Sequence, residues 1–577
     1  MKSFVAPSPA GALAIAALLS AIPAGRAFAQ EAPRPALVVV VAVDQMRGDF
    51  VDRFRPHYGD EGIGRMLREG FNYSNCHYEH AATMTGAGHA TMMTGSYGHR
   101  NGIVANDWWQ VDQWREMYCA EDVDARTVTN EGVQAGDGET WPPQPGLPAA
   151  AGKATSRSPR NLKSETVGDM LEAATAGRAK TVSISWKDRS SIFMAGKSGD
   201  VVLWFDDKLG QFVSSTWYGD QLPEWVAAFN LSGAAARWAG GSWNLLLGGI
   251  DPYLALCTAD DAPGEGKGPF AGITFPHKMG ETDSADASYY GALSFSPFAN
   301  EVIVDLALEA IREEKLGADD VPDILTLSFS ANDLVGHAFG PDSWEVMDIT
   351  LRTDATLARL MSQLDAQVGE GRWTLLLTAD HGVAPMPEVM LPRRVPAGRV
   401  SSGAMARDIE AELVKALATP PEGKTTHLEK ISWPWLVLNL PQDPEARDKA
   451  LRAASAAAAA LPYVAMAMPV EDLLKLDPSS DATIRALQLS YHPERAGQVA
   501  FVFKPYYYFG GTTGSTHGSP YRYDQHVPML AVGAGIHQGV SFRQVSPPMI
   551  APTVAALLGV LQPSLCEVEP LWAALGE

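Results

Sequence analysis

The chain has 577 residues, with 45 Lys+Arg against 67 Asp+Glu for a formal net charge of −22, and 46% of its residues are hydrophobic. This is globular composition, with length for a large core and insertions. The acidic balance disfavours non-specific binding to nucleic acid or to anionic membranes, but it admits an anionic substrate wherever metal ions or arginines reverse the field inside one cleft.

In chain order, the first element is a targeting signal. Lys2 gives a basic start, "GALAIAALLSAIPA" from Gly11 an apolar core, and "AFA" at Ala27 to Ala29 a small-x-small cleavage site before Gln30. Pro23 and Gly25 interrupt a run already too short to span a membrane. The expected product is exported, secreted or periplasmic, with no membrane partner after cleavage. In an oxidising compartment Cys76, Cys119, Cys257 and Cys566 are expected as disulfides. Four cysteines allow three pairings, and no CxxC points to thiolate zinc.

"ALVVVVAVD" (Ala36 to Asp44) is a continuous β-branched run, the pattern of a buried parallel strand. "HAATMTGAGHATMMTGS" from His80 follows no clear period, and glycine this dense implies close backbone approach. A threonine before its Gly-x-Gly turn is either a helix cap or a nucleophile presented at a helix start. "TVSISWKDR" (Thr181 to Arg189) reads as a more alternating strand. "SPFANEVIVDLALEAIREEKLG" from Ser296 has a cap, a period near 3.6 and a glycine stop. "DILTLSFSAND" (Asp323 to Asp333) is another buried run, "VMDITLRTDATLARLMSQLDAQVG" from Val346 another helix, and "WTLLLTADHG" (Trp373 to Gly382) another strand. Strands alternating with helices predict an α/β fold, a three-layer sandwich on a largely parallel central sheet. Residues 390–500, with the alanine-rich "KALRAASAAAAALP" from Lys449, interrupt the pattern and read as an inserted α+β cap. Residues 30–389 and 501–577 then form the catalytic core.

Ligands in open α/β sheets bind beyond the carboxyl ends of strands. Asp44, Asp333, Asp380 with His381, and Lys187 with Arg189 all fall at such ends. Asp333 and His337 are four apart and share a face if "NDLVGHAFG" is helical. His517 lies in the Gly-rich "THGSPYRYDQHVPML". Aspartate with histidine suits zinc or a similar ion. Asp, Asp, His and a hydroxyl close one tetrahedral site, and Asp, His, His hold a second with an open position. Two ions about 4 Å apart clamp the attacking and leaving oxygens of an in-line displacement. The chemistry suggested is hydrolysis at phosphorus or sulfur.

These pieces resemble the alkaline phosphatase superfamily, and within it the single-chain bacterial alkaline phosphatases with a threonine nucleophile (the PafA/PhoK type). The resemblance rests on "VVVVAVDQMRGDF", "TMTGAGHATMMTGSYGHRNGIVANDWW", "SWKDR", "FSANDLVGHAFGP", "TADHGVAPMP" and "GSTHGSPYRYDQHVPML", in the family's order from about Val38 to Leu530. It implies that Thr85, rather than Thr83, is the nucleophile. Asp44, Asp380 and His381, with the Thr85 hydroxyl, match the ligands of the activating metal. Asp333, His337 and His517 match those of the metal on the leaving-group side. Asn106 matches an amide that binds a non-bridging phosphate oxygen, and Lys187 and Arg189 the pair that distinguishes monoesterases from diesterases. One departure is Ala87, where the family often has proline.

A monoester transition state spreads charge over three equatorial oxygens. Arginine can grip two, lysine adds a point charge, and the Gly86 N–H at a helix start is an expected further donor. His80, His89, His99 and His277 are expected to be structural or to support the site's ligands from behind, and His526 to orient a ligand. The expected enzyme is a monomeric phosphomonoesterase with two Zn²⁺, a phosphothreonine intermediate, small phosphate monoesters as substrates and no nucleic-acid partner. A structural Ca²⁺ is left open. Two alternatives stand beside it: a phosphodiesterase, nucleotide pyrophosphatase or sulfatase on the same scaffold, and a non-catalytic metal-binding protein.

Overall fold

The strand Leu37–Val43 (β1) exposes nothing: all seven side chains are fully buried. Each valine so buried stabilises the fold by about 1.5 kcal/mol or more. The computed structural model describes residues 34–134, 156–417 and 419–576, so the expected signal peptide lies outside the described residues. Beside β1 stand Thr181–Ser185 (β2), Val201–Asp206 (β3), Asp323–Phe329 (β4) and Trp373–Thr378 (β5). Their order is β5-β1-β4-β2-β3, and every neighbouring pair is parallel. Shorter strands extend the sheet on both sides to eleven, antiparallel against β5 and β3. The fold is α/β on a large, mixed, largely parallel central sheet, as the sequence predicts.

Strand β2 departs from the alternating pattern expected of it, because all five residues are buried. Its serines are tolerated inside because they are hydrogen-bonded. The Ser183 hydroxyl donates to the Ser191 carbonyl (2.8 Å) and accepts from the Thr326 hydroxyl (2.7 Å). The Ser185 hydroxyl accepts the Lys187 N–H (3.1 Å), which fixes the turn into the next helix.

Helices Pro297–Glu313 and Trp344–Leu364 form where the periodicity places them. The expected Ser296 cap does not: its hydroxyl donates to the Leu293 carbonyl instead (2.8 Å), and Pro297 starts the helix with its φ already set. A separate antiparallel sheet, in the order Leu428–Ser432, Trp435–Leu438, Val499–Phe503, Val464–Pro469, packs with helices Ser402–Leu417 and Pro444–Ala459 around its own hydrophobic cluster. It takes in residues beyond position 500. No helix among the described residues is long and apolar enough to cross a membrane.

The expected disulfides are absent, and all four cysteines are free. They sit in different environments. Cys76 is in a strand bridged to Val545, Cys119 lies against Gly86, Cys257 meets the Met347 sulfur at 3.6 Å, and Cys566 packs on Gly95. Burial pushes the Cys76 and Cys119 thiols far above their ordinary range, which disfavours the reactive thiolate.

Candidate active site

The carboxyl ends of β1, β4, β5 and β2 converge. Asp44 follows β1, and Asp380 and His381 follow β5. Two residues expected at strand ends lie one step further along. Asp333 is in the first turn of helix Ala331–Phe339, and Arg189 in the first turn of helix Asp188–Ala195. Asp333 and His337 therefore share a helical face as their spacing requires, with the His337 Nε2 3.2 Å from Asp333 Oδ1.

The acidic and imidazole groups form two triads, Asp44/Asp380/His381 and Asp333/His337/His517. Within each, the ligand atoms lie within 4.8 Å of one another. His517 Nε2 is 3.5 Å from Asp333 Oδ1, and His381 Nε2 is 3.3 Å from Asp380 Oδ2 and 3.5 Å from Asp44 Oδ1. Bonds of about 2.0–2.1 Å to a tetrahedral ion put neighbouring ligands about 3.3 Å apart, which these separations match.

Every histidine of the triads is held the same way. Nδ1 of His337, His381 and His517 bonds the backbone carbonyls of Ser515 (2.8 Å), Gly382 (2.9 Å) and Thr83 (2.7 Å). A carbonyl can only accept, so each Nδ1 carries a proton, and Nε2 is the nitrogen each ring turns toward a metal. The three Nε2 atoms, Asp44 Oδ1 and Asp380 Oδ2 are buried without a hydrogen-bond partner. An orphaned buried polar atom costs about 1–3 kcal/mol. Five of them facing one another is an arrangement that bound cations resolve, so the residues fit two metal ions.

Lys187 joins the triads. Its Nζ lies 2.6 Å from Asp44 Oδ2 and 2.5 Å from Asp333 Oδ2, and the side chain is buried. Burial disfavours its charge, but Asp333 and Asp44 outweigh that and raise its pKa. Burial and the neighbouring Asp44 push Asp380 well above the carboxylate range. Burial also opposes charge on Asp333, yet His337 and Lys187 hold that carboxyl well below it. Burial lowers His381 to about 3 and keeps it neutral, as a ligand must be.

The dense glycines of the "TMTGAGH" stretch have a geometric cause. Met84 is extended (φ −129°, ψ 155°), and helix Thr85–Thr94 starts at Thr85 against β5's end. A Cβ on Gly88 would stand 2.3 Å from the Asp380 carbonyl oxygen and 2.8 Å from its Cβ. Gly88→Ala is expected to cost about 1–3 kcal/mol by overpacking and to displace Asp380. Thermal unfolding and metal content measured together check this, and an unshifted variant with full metal content contradicts it.

Thr85 is buried, with Oγ1 3.5 Å from Arg189 Nη2. Arg189 Nη1 reaches the Tyr118 hydroxyl (3.4 Å), which donates to Asp188 (2.6 Å); Asp188 also accepts from Arg157 Nε (2.6 Å). Arg189 thus stands against Thr85, held from behind by an aromatic–acid–base chain. The Gly86 N–H, expected as a donor to substrate, is spent on Asn106 Oδ1 (2.7 Å). That bond orients the Asn106 amide and leaves its buried Nδ2 without a partner, so the free donor is Asn106.

Sequence reasoning missed Gln45. It sits at φ +67°, rare for a residue with a side chain. Its N–H donates to Asp380 Oδ1 (3.1 Å) and its Nε2 to Asp333 Oδ1 (2.6 Å), tying one triad to the other. Its place after Asp44 in "VDQMR" was the only signal. His526, expected to orient a ligand, stacks on His77 (4.6 Å) and bonds the Ser74 carbonyl (3.2 Å) instead. His89 bonds the Thr85 carbonyl (2.8 Å) and the Ser328 hydroxyl (2.9 Å), bracing the helix start.

The profile of the family described as type I phosphodiesterase / nucleotide pyrophosphatase matches residues 38–521. The chain is 33% identical over 551 residues to alkaline phosphatase PafA of Elizabethkingia meningoseptica, covering 94% of this chain and 95% of that protein. It is 32% identical over 551 residues to alkaline phosphatase PhoV of Synechococcus elongatus, covering 93% and 92%. The crystal structure of wild-type PafA has a TM-score of 0.83 at 31% identity, over 94% of this chain and 99% of that one. A structure of a PafA mutant, altered at a threonine, an asparagine, a lysine and an arginine, is similar to the same degree. The chain belongs to the alkaline phosphatase superfamily, in the type I phosphodiesterase / nucleotide pyrophosphatase family, among its PafA/PhoK-type alkaline phosphatases.

Proposed function

We propose that the protein is an exported alkaline phosphatase that hydrolyses phosphate monoesters through a phosphothreonine at Thr85, with two zinc ions in the triads. The carrying observation is the pair of triads with their five partnerless ligand atoms, bridged by Lys187 through Asp44 and Asp333, and with Arg189 set against Thr85. Zinc supplies the charge that makes a neutral hydroxyl nucleophilic and stabilises a departing oxygen. The donor set of imidazole Nε2 and carboxylate oxygen at tetrahedral spacing supports zinc over a larger, oxygen-only ion. The leader features in residues 1–29 support export, and the small sheet with its helices supports a cap role for the 390–500 region. The substituted positions of the PafA mutant support the residue roles. Its threonine and asparagine are 21 apart and its lysine and arginine 2 apart, the spacings of Thr85 to Asn106 and Lys187 to Arg189.

The chain's own groups divide the work. Thr85 Oγ1 attacks phosphorus and becomes esterified, and the alcohol leaves on the side of Asp333, His337 and His517. Arg189 and the Asn106 amide hold non-bridging oxygens, and Lys187 adds charge against the dianion. Water then cleaves the threonine ester and releases inorganic phosphate. Turnover of an aryl phosphate, a bis-aryl phosphate and an aryl sulfate by one zinc-loaded preparation tests this. A monoester rate far above the other two is expected, and a dominant diester rate makes the phosphodiesterase the better description.

The buried guanidinium gives a sharper version. A charge-assisted hydrogen bond contributes about 1.5–3 kcal/mol, so Arg189→Ala should slow monoester hydrolysis by about tenfold to a hundredfold. Diester hydrolysis should fall much less, since one oxygen is esterified. An equal fall in both kcat/KM values means that Arg189 only holds the site together.

A further inference from the structure

We infer that an aromatic recess next to His517 binds the leaving group of the ester, and that it takes a flat aromatic ring. The inference rests on the phosphatase reading above. The recess is a partly open pocket, with about 400 Å³ of space when its solvent-facing mouth is counted. It is lined by Met84, His517, Trp433, Phe503, Phe509 and Asp524, among others. Two of these tie it to the reaction. Met84 immediately precedes Thr85, and His517 belongs to the triad assigned to the departing oxygen. An alcohol leaving from that side has this recess beside it.

The walls are built for a ring. Trp433 lies at the turn between the strands Leu428–Ser432 and Trp435–Leu438 of the smaller sheet. It stacks on Phe503 at 4.9 Å and 16°, and Phe509 stands edge-on to Phe503 at 4.8 Å and 81°. Trp433 Nε1 donates to the Gly518 carbonyl (2.5 Å), which pins the indole next to the His517 loop. A Cβ on Gly518, at φ +111°, would come within 3.3 Å of Met84 and 3.7 Å of Trp433 Nε1, so the loop passes close to both. Asp524 is buried. Its Oδ2 accepts from the Ser519 N–H (2.8 Å) and hydroxyl (2.5 Å), and its Oδ1 has no hydrogen-bond partner. The recess is thus rich in aromatic side chains, with hydroxyls and the Asp524 carboxylate at its walls, which suits an aryl ring that carries a donor. Aromatic contacts of this kind discriminate by geometry as well as area.

Benzylphosphonate and methylphosphonate separate ring binding from leaving-group reactivity, because neither is hydrolysed. Calorimetric titration of the zinc-loaded enzyme should show benzylphosphonate binding about tenfold tighter. Trp433→Ala should bring the ratio near one without changing methylphosphonate affinity, and Trp433→Phe should keep most of the preference. A ratio near one in the wild type overturns the inference, as does an equal loss for both ligands in Trp433→Ala. If both phosphonates bind with equal affinity and monoesters are turned over, only the recess assignment falls. If neither binds and no monoester is hydrolysed, the phosphatase reading falls and takes the recess assignment with it.

Discussion

Thr85→Ala should lower monoester turnover by about a thousandfold or more, since it removes the hydroxyl that attacks in the covalent route. The fold should survive. The hydroxyl stands 3.5 Å from Arg189 Nη2, while the backbone carbonyl that braces His89 remains in alanine. Thr83→Ala is the internal control. Its hydroxyl donates to the Ser519 carbonyl (3.1 Å), but what it gives the site is its own carbonyl to His517, which alanine keeps. Thr83→Ala should therefore keep most of its activity. Thr85→Ser should also remain active, because the attacking group is preserved. Phosphoenzyme trapped by rapid acid quench should map to the peptide containing residue 85. Activity surviving in Thr85→Ala, or lost in Thr83→Ala alone, puts the nucleophile elsewhere in "TMTGAGH".

The difference between these two threonines shows what was legible in the chain and what was not. Strand β1 was readable because burial on both faces demands an unbroken apolar run, and "LVVVVAV" satisfies that condition. The Asp333/His337 pair was readable because helical spacing puts i and i+4 on one face. Strand β2 looks alternating in sequence, yet it is buried throughout because its serines are satisfied by Ser191 and Thr326, on other elements. The same non-locality hid Gln45, whose partners Asp333 and Asp380 lie 288 and 335 residues away. It also misdirected Gly86, whose N–H is claimed by Asn106, 20 residues on. The cysteines were misjudged because composition and compartment say nothing of distance. Local patterns fix which residues can act, and long-range hydrogen bonds decide which atoms are still free to do so.

Asp333→Ala should be as damaging as loss of the nucleophile, by a different route. One carboxylate here serves four neighbours. Oδ2 meets Lys187 at 2.5 Å, and Oδ1 accepts from Gln45 at 2.6 Å while facing His337 at 3.2 Å and His517 at 3.5 Å. Alanine reduces the second triad to two neutral imidazoles and removes one of the two anions holding a buried ammonium. The expected result is loss of one of two bound zinc equivalents and a fall in kcat of about a thousandfold or more. Asp333→Asn keeps the shape and the Gln45 contact but not the charge, so it should fold like the wild type and still lose the metal. His526→Ala is the contrasting case, since its ring meets His77 and the Ser74 carbonyl rather than either triad. It should keep both zinc equivalents and activity within about threefold. Zinc content by mass spectrometry and kcat on an aryl phosphate, measured for all three variants, decide the matter. An Asp333→Asn enzyme that keeps two zinc equivalents and near-normal kcat would mean that this carboxylate only neutralises Lys187, and the second metal site would have to be built from other residues.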